Sequence, residues 1–314
     1  MPASLKDLKN RIKTVKNTKQ MTKAMQLVSA SKFTKAQTAL KASLYYYEHL
    51  ERMIFEVSKF ISDGYENPLL KNKSDKNSHA AVLVLSSERG LCGSFNANVT
   101  KNALKLFETL DKEGMTYTPF CVGKKSFHLL KKSFLHKGME KKPLFLTHES
   151  YLKNKELYTQ KDSILLLPSP SKLTHAFVKN ISEIMSALIK NKKLSKVYIV
   201  YNSFVSALLQ EPKKELYFPY EIKKESSFLD EPILEPKNPE DLFERLLPHY
   251  LEAKLYKIFL EALAGEHGAR MTAMDNATRN AKEMERKLQI TYQRARQAAI
   301  TKELIEIISG AEAL

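Results

Sequence analysis

The chain of 314 residues has only two cysteines and no apolar run long enough to cross a bilayer. Cys92 and Cys121 form neither a metal-binding spacing nor a disulfide framework. The longest apolar runs, such as Ala80–Leu85 and Ile164–Leu167, are far shorter than the roughly 20 residues of a transmembrane helix. The start at Met1 has neither the apolar core of a signal peptide nor the pattern of a transit segment. We therefore predict a reduced, unprocessed, cytosolic protein.

Motifs of common catalytic sites are also missing. The sequence has no phosphate-binding G-x-x-x-x-G-K-[ST] loop, no G-x-S-x-G elbow, no HExxH pair and no Cys/His cluster. One glycine-containing turn, Arg89–Asn96, lies where α/β folds bind nucleotides, but it lacks the G-x-G-x-x-G spacing. We interpret it as a tight structural turn, with an α/β enzyme as the alternative. We expect no catalytic residue, cofactor, metal or directly bound nucleotide.

The formal net charge of +16 is unevenly distributed. A field of this strength favours an acidic partner such as nucleic acid, anionic lipid or acidic protein loops, and a solvated helix face is the simpler alternative. A nucleic-acid binder is disfavoured because the N-terminal segment lacks interleaved aromatic residues and Arg clusters. Asp7 is the single acid among these basic residues: Lys6, Lys9, Arg11, Lys13, Lys16, Lys19, Lys23, Lys32, Lys35 and Lys41.

Both ends of the chain have the apolar spacing of very long helices. No proline or glycine occurs between Pro2 and Gly64, and Ser4 is a suitable N-cap. Some 55 residues at about 1.5 Å each predict a rod of roughly 80 Å. The expected seam of this first helix is Leu5, Leu8, Ile12, Val15, Met21, Met25, Val28, Phe33, Ala36, Leu40, Leu44, Tyr47, Leu50, Ile54, Val57 and Ile61.

The C-terminal helix is predicted to begin at the Asn238 cap, followed by Pro239. Gly265 and Gly268 interrupt its pattern, and we attribute them to close packing against a neighbouring element rather than to a hinge. Its expected seam is Leu242, Leu246, Tyr250, Leu255, Phe259, Leu263, Met271, Met274, Met284, Leu288, Tyr292, Ala295, Ala299, Leu304 and Ile308.

Strands and helices alternate between these two ends, which predicts an open α/β sheet covered on both faces. An edge strand over Glu215–Ile222 and a linker over Glu225–Pro239 are expected to close this region. The predicted strands are Ala81–Leu85, Tyr117–Val122, Leu144–Leu146 and Val197–Tyr201, and the predicted helices are Asn96–Leu110, Lys125–His136 and Lys172–Lys190.

The chain is thus predicted to have three segments. Residues 1–61 form an N-terminal coiled-coil helix, residues 62–238 a central Rossmann-like α/β domain with linkers, and residues 239–314 a C-terminal coiled-coil helix. Two helices of this length, far apart in sequence, must pair with each other to bury their apolar stripes. A shaft with a globular attachment suggests mechanical transmission rather than chemistry in a pocket.

Motifs at both ends and in the middle give the most specific functional signal. Ile12–Thr18, Thr22–Met25 and Val28–Lys32 lie in the first helix, Arg89–Gly93 lies in the central domain, and Tyr201–Ser206 follows its last long strand. Together with the C-terminal motifs they resemble, in order and over essentially the whole chain, the gamma subunit of the F-type ATP synthase. Those C-terminal motifs are Ala269–Met271, Ala273–Asp275, Ala277–Thr278, Asn280–Ala281 and Tyr292–Thr301.

This resemblance implies a non-catalytic rotor that couples flow of protons or sodium ions to ATP synthesis or hydrolysis. The terminal helices would form an antiparallel coiled coil inside a ring of three alpha and three beta subunits. The central domain would lie against the membrane rotor ring and the epsilon subunit. The chain would then be a peripheral protein on the cytoplasmic face of a bacterial plasma membrane, with no role in binding nucleic acid.

The resemblance also implies residues that contact partners. Arg296, Gln297 and Thr301 match positions that contact a loop of the catalytic subunit. Met25 matches a shaft residue that faces the beta subunit near its acidic loop, and Lys23 and Lys32 are its basic neighbours. The apolar end, Leu304–Ile308, matches the tip held by the upper part of the ring.

Overall fold

The computed structural model describes residues 4–62, 65–70, 79–136, 142–145, 163–167, 173–190, 194–221 and 238–312. The chain divides into two compact units. Unit 1 comprises Met1–Ser31 and Arg270–Leu314, and unit 2 comprises Lys32–Ala269. None of the described helices has the combination of length and apolar character that a membrane crossing requires.

Two very long helices and three shorter ones are described. The first and last helices each contribute one segment to unit 1 and one to unit 2, and the other three belong to unit 2. The helices are α1 (Leu5–Ser58), α2 (Phe95–Lys112), α3 (Lys124–His136), α4 (His175–Lys190) and α5 (Pro239–Glu312).

Unit 2 contains a six-stranded sheet with the order β3-β4-β2-β1-β5-β6. All neighbouring strands are parallel except β5 and β6, which are antiparallel. The predicted open α/β sheet is therefore confirmed. The strands are β1 (His79–Leu85), β2 (Thr116–Val122), β3 (Lys142–Phe145), β4 (Ser163–Leu167), β5 (Lys196–Phe204) and β6 (Gln210–Phe218).

The central strands of the sheet are buried on both faces. In β1, Ala81, Leu83 and Leu85 pack into one apolar core, while Val82 and Val84 pack into another. The first core also contains side chains of α1, α4 and α5, and the second contains side chains of α2 and α3. This alternation with a period of two explains why β1 is a continuous apolar run in the sequence.

Within unit 2, α1 packs directly against α5. Ala36 and Leu40 of α1 form a buried cluster with Leu260 and Ala264 of α5. Both pairs are four residues apart, so each helix presents one face to the other. The seam predicted for this part of α1 is confirmed, because its members from Ala36 onward are buried or half-buried.

Gly265 and Gly268 lie inside α5, which continues through both without a break. A Cβ atom on Gly268 would lie 3.2 Å from the Cα of Ala207, and one on Gly265 would lie 3.3 Å from side-chain atoms of Gln210 and Phe95. Both glycines therefore allow the β5–β6 turn and its surroundings to approach the helix closely. The predicted role in close packing is confirmed.

Two predicted helix caps are present, and one predicted strand is wrong at its start. Ser4 Oγ accepts the Asp7 N–H at 3.2 Å, and Asn238 Oδ1 accepts the Glu240 N–H at 3.1 Å. The edge strand starts at Gln210, earlier than predicted, because a strand at the sheet edge tolerates Pro212 opposite Asn202. The predicted end is wrong as well, because the strand ends at Phe218 and residues 219–221 are not part of it. Ile222 and the linker before Asn238 lie outside the described residues.

Candidate partner-contact surfaces

The two helices of unit 1 are held together by polar contacts. Lys19 Nζ donates to Glu285 Oε2 at 2.5 Å, and Gln26 Nε2 donates to Asp275 Oδ1 at 2.7 Å. Residue numbers rise along α1 as those of the contacted residues fall along α5. The helices of this unit are therefore antiparallel, as the family resemblance implies.

A third contact places two threonines face to face. Thr22 Oγ1 lies 2.8 Å from Thr278 Oγ1, between the two contacts already described. Glu285, whose side chain is 13% exposed, is largely withdrawn from solvent beside its lysine partner. The helix interface of unit 1 thus contains a line of hydrogen-bonding side chains, and the seam residues Leu8 and Met274 are buried as well.

Few side chains of unit 1 are buried. Among those whose burial is described, only Leu8, Ser29, Arg270, Met274 and Ala281 are less than a tenth exposed. Two of these five are small, which lets the helices approach closely, and they bury little apolar area. A pair of helices with so small a core gains little free energy from the pairing alone.

Large apolar side chains of unit 1 lie on the outside instead. On α1, Met21 is 65% exposed, Leu27 is 60% exposed and Val28 is 58% exposed. On α5, Met284 is 54% exposed and Ile290 is 46% exposed. Placement of Met21, Val28 and Met284 in the helix seam was therefore wrong. Other members of the predicted seam are not exposed: Leu8 and Met274 are buried, and Ile12, Val15, Met25, Met271 and Leu288 are half-buried.

The end of α5 is the most apolar exposed part of unit 1. Lys19 lies opposite Glu285, and the two helices are antiparallel. Leu5, where α1 begins, is 14 residues before Lys19, so it lies level with about residue 299 of α5. All residues from 300 to 309 are exposed. Seam positions predicted at Leu304 and Ile308 are consequently wrong, because no described residue of α1 reaches that level. Four large apolar side chains there are more than half exposed: Leu304, Ile305, Ile307 and Ile308.

Three of the predicted contact residues lie together on α5. Arg296, Gln297 and Thr301 are all exposed. Thr301 Oγ1 donates to the Gln297 carbonyl oxygen at 2.9 Å, which fixes the hydroxyl against the helix backbone. The three side chains, including the guanidinium and amide groups, thus face solvent within about one and a half turns of helix. This arrangement suits recognition of carboxylates or backbone carbonyls of a partner.

The other predicted contact residues lie elsewhere on α1. Lys23 is exposed and donates to Gln26 Oε1 at 3.0 Å, whereas Met25 is half-buried. These two residues lie level with about residue 277 of α5, so Arg296 is roughly 28 Å further along that helix. Lys32, also exposed, is the first residue of unit 2. The predicted residues therefore belong to more than one surface.

The turn at Arg89–Asn96 satisfies its polar groups internally. Asn96 Oδ1 accepts the Ser87 N–H at 3.0 Å, and Asn96 Nδ2 lies 3.0 Å from Cys92 Sγ. Leu91 has a φ of 63°, which gives the turn its sharp bend. These contacts support the structural interpretation of the turn.

The second cysteine is also poorly suited to nucleophilic chemistry. Cys121 is fully buried in β2, and burial raises the pKa of its thiol to about 12. The thiolate, which is the reactive form, is therefore suppressed at neutral pH. Among the described residues there is also no group of three or more His, Cys, Asp or Glu side chains that could hold a metal ion.

Comparison with known proteins gives one consistent result. The family described as ATP synthase matches residues 4–314. An ATP synthase gamma chain of Geobacter metallireducens is 38% identical over 315 residues, covering 99% of each chain. That of Pelagibacter ubique is 35% identical over 314 residues, covering 99% of this chain and 100% of the relative.

Solved structures agree at the level of the fold. A chain from the Euglena gracilis mitochondrial ATP synthase, solved with OSCP, F1 and the c-ring, has a TM-score of 0.60 at 17% identity. The match covers 98% of this chain and 94% of that one. A central-stalk and c-ring structure from Tetrahymena thermophila gives a TM-score of 0.53 at 19% identity, covering 82% and 99% respectively.

Proposed function

Because the chain belongs to the family of ATP synthase gamma chains, we propose that it is the central rotor stalk of an F-type ATP synthase. In this role it performs no chemistry itself. It couples passage of protons or sodium ions through a membrane ring to ATP synthesis or hydrolysis in a catalytic head. Its place is at the cytoplasmic face of a bacterial plasma membrane, as a peripheral protein.

One observation carries this proposal: the helices of unit 1 are joined partly by polar residues, and they leave large apolar residues exposed on the outside. Thr22 and Gln26 point at α5, while Met21 and Val28 are more than half exposed. An isolated soluble protein gains stability from the opposite arrangement. The outward apolar side chains are explained if a sleeve of other polypeptides surrounds the helices. A ring of three alpha and three beta subunits is such a sleeve.

The proposal assigns partners to each part of the chain. Residues 1–61 and 239–314 form a coiled coil within the ring, and the apolar tip at Leu304–Ile308 occupies its upper end. Residues 62–238 form the foot, in contact with the epsilon subunit and the membrane ring. The six predicted contact residues meet the catalytic head: Lys23, Met25, Lys32, Arg296, Gln297 and Thr301.

The mechanism depends on the asymmetry of the helix pair. A ring of three equivalent catalytic sites meets different faces of the rotor, and each site adopts the conformation that its face favours. The rotor can change the conformational equilibrium of a catalytic site by no more than the difference between its contact free energies with the two conformations of that site. Exposed ion pairs, at about 0–1 kcal/mol each, suit this task because they break and re-form as the rotor turns. Lys23 and Arg296 supply cations of this kind.

The proposal is tested by replacing the exposed polar pair with alanine. We expect the double variant R296A/Q297A, assembled into the complete complex, to lose coupling between ATP hydrolysis and ion pumping. Both side chains are exposed on α5, so the fold should be unaffected. The matched control is R286A/Q289A, which removes the same two residue types from exposed positions of the same helix. ATP-driven pumping in membrane vesicles and ATPase activity are measured together.

Three results would count against the proposal. Normal coupling in R296A/Q297A would remove the assigned contact with the catalytic head. Failure of the tagged chain to co-purify with alpha and beta subunits from native membranes would remove the rotor assignment itself. Equal losses in R286A/Q289A and R296A/Q297A would show that the effect of the substitutions is not specific to the assigned positions.

A further inference from the structure

Unit 2 contains a cavity of about 560 Å³, and Lys32 is the one residue of its described lining that the proposed function uses. Leu85 and Ser86 at the end of β1, and Val122 at the end of β2, form one side of it. Residues of α1 and α5 form the opposite side, so the cavity lies between the sheet and the helix pair of this unit. Its volume falls in the range of about 300–1,000 Å³ that small-molecule sites occupy.

The wall of this cavity is predominantly apolar and aromatic. Phe95, Phe177 and Phe259 contribute rings, and Leu260 and Leu263 contribute aliphatic side chains. Ser86 is one of the few polar side chains, and its hydroxyl is already engaged, 2.8 Å from Ser126 Oγ. A ligand rich in hydrogen-bonding groups, such as a nucleotide base with its ribose, would leave polar atoms without partners there. A hydrocarbon chain needs none.

Two lysines of α1 supply positive charge at the same cavity. Lys32 and Lys35 both line it, both are exposed, and neither has a hydrogen-bond or ion-pair partner among the described residues. Glu266 and His267 also line it, and both already have interactions within the protein. The lysine ammonium groups therefore remain available for an anion, next to an apolar interior.

We propose that this cavity binds a long-chain monocarboxylate, that is, a fatty acid or a close analogue. The alkyl chain lies against the phenylalanine and leucine side chains, and the carboxylate meets Lys35. In the chain on its own Lys32 adds to the positive charge there, whereas in the complete complex it is assigned to the catalytic head. A fatty acid has both an alkyl chain for the apolar interior and a carboxylate for the cations at its edge. A neutral hydrocarbon lacks the carboxylate, and a polar anion lacks the alkyl chain.

Binding is measured on the full-length chain by displacement of dansylated undecanoic acid with palmitate. We expect saturable binding of one palmitate per chain. Charge reversal in K35E should weaken the affinity by roughly tenfold or more, because it replaces an attractive group with a repulsive one. The control K41E makes the same charge change on the same helix, at an exposed position that does not line the cavity, and should bind like the unmodified chain.

A second pair of variants tests the cavity itself. Ala39 lines the cavity, and A39M should fill part of it and abolish binding, whereas A42M on the exposed side of α1 should not. Thermal unfolding of all variants checks that they remain folded. Absence of saturable palmitate binding, equal binding by A39M and A42M, or hexadecanol binding as tightly as palmitate would each overturn the proposal.

Discussion

The antiparallel helix pair of unit 1 makes a sharp prediction about an engineered disulfide. Thr22 Oγ1 and Thr278 Oγ1 are 2.8 Å apart, so the two Cβ atoms lie near the separation of about 3.5–4.5 Å that a disulfide requires. We expect the double variant T22C/T278C to form an intramolecular disulfide under mild oxidation. The native thiols of Cys92 and Cys121 are buried and should not compete.

The expected stabilisation is set by the loop that the disulfide closes while unit 2 stays folded. Thr22 is 14 residues from Ala36 and Thr278 is 14 residues from Ala264, and Ala36 and Ala264 already lie in one buried cluster, so the effective loop is about 28 residues. The chain-entropy estimate for such a loop is about 3.6 kcal/mol at 25 °C, and any strain in the native state reduces it. Unit 1 has few buried side chains of its own, so this constraint should be its largest single stabilising contribution.

Amide hydrogen exchange over residues 5–31, with and without reductant, measures the effect. Oxidation should slow exchange in this segment by about two orders of magnitude, since each tenfold change corresponds to about 1.4 kcal/mol. The control T22C/T291C places the second cysteine about 19 Å further along α5, out of reach. If T22C/T278C failed to cross-link, or cross-linked no better than T22C/T291C, the described helix register would be wrong.

The remaining predictions concern unit 2. Ile54 is fully buried, so I54A should lower the free energy of unfolding by about 2–5 kcal/mol. M53A, at the neighbouring half-exposed position, should change it by less than about 1 kcal/mol. Both values are measured by urea unfolding, and equal effects would contradict the described core. Burial raises the pKa of Tyr217 above its ordinary value of about 10, so the folded state holds the proton more tightly and stability should fall as pH rises through 10. Y217F loses the hydrogen bond to the Leu251 carbonyl oxygen at 3.0 Å, so at pH 8 it should be about 1 kcal/mol less stable than the unmodified chain. Between pH 8 and pH 11 it should lose less stability than the unmodified chain. Identical dependence of stability on pH in the two chains would contradict that reasoning.

Much of unit 2 could be predicted from the sequence because its signals are local. The run from Ala80 to Leu85 is apolar throughout, as expected for a strand buried on both faces. Asn238 caps α5 through a contact that spans only two residues. The strand from Gln210 was harder to predict, because whether Pro212 is tolerated depends on the strand's position at the sheet edge.

The arrangement of unit 1 could not be predicted in the same way. A helical period shows that Met21, Met25 and Val28 share a face, but not whether that face meets the other helix or an external partner. The outcome depends on pairs such as Gln26 and Asp275, which are 249 positions apart. The family resemblance supplied the role of Arg296, and nothing in its local sequence distinguishes it from any other exposed arginine.

The two units differ in where their apolar side chains lie, and this difference bears on how a rotor would work. In unit 2, residues such as Leu83 and Phe120 are enclosed by the chain's own helices and strands, so that unit carries its own stabilisation. In unit 1, Met21 and Leu27 are left for an external surface. Partners that enclosed these side chains would remove their apolar surface from water, and this binding free energy would stabilise unit 1. In the proposed rotor, that free energy would reside in contacts that differ around the helix pair. It would therefore depend on the rotational position, as coupling by rotation requires.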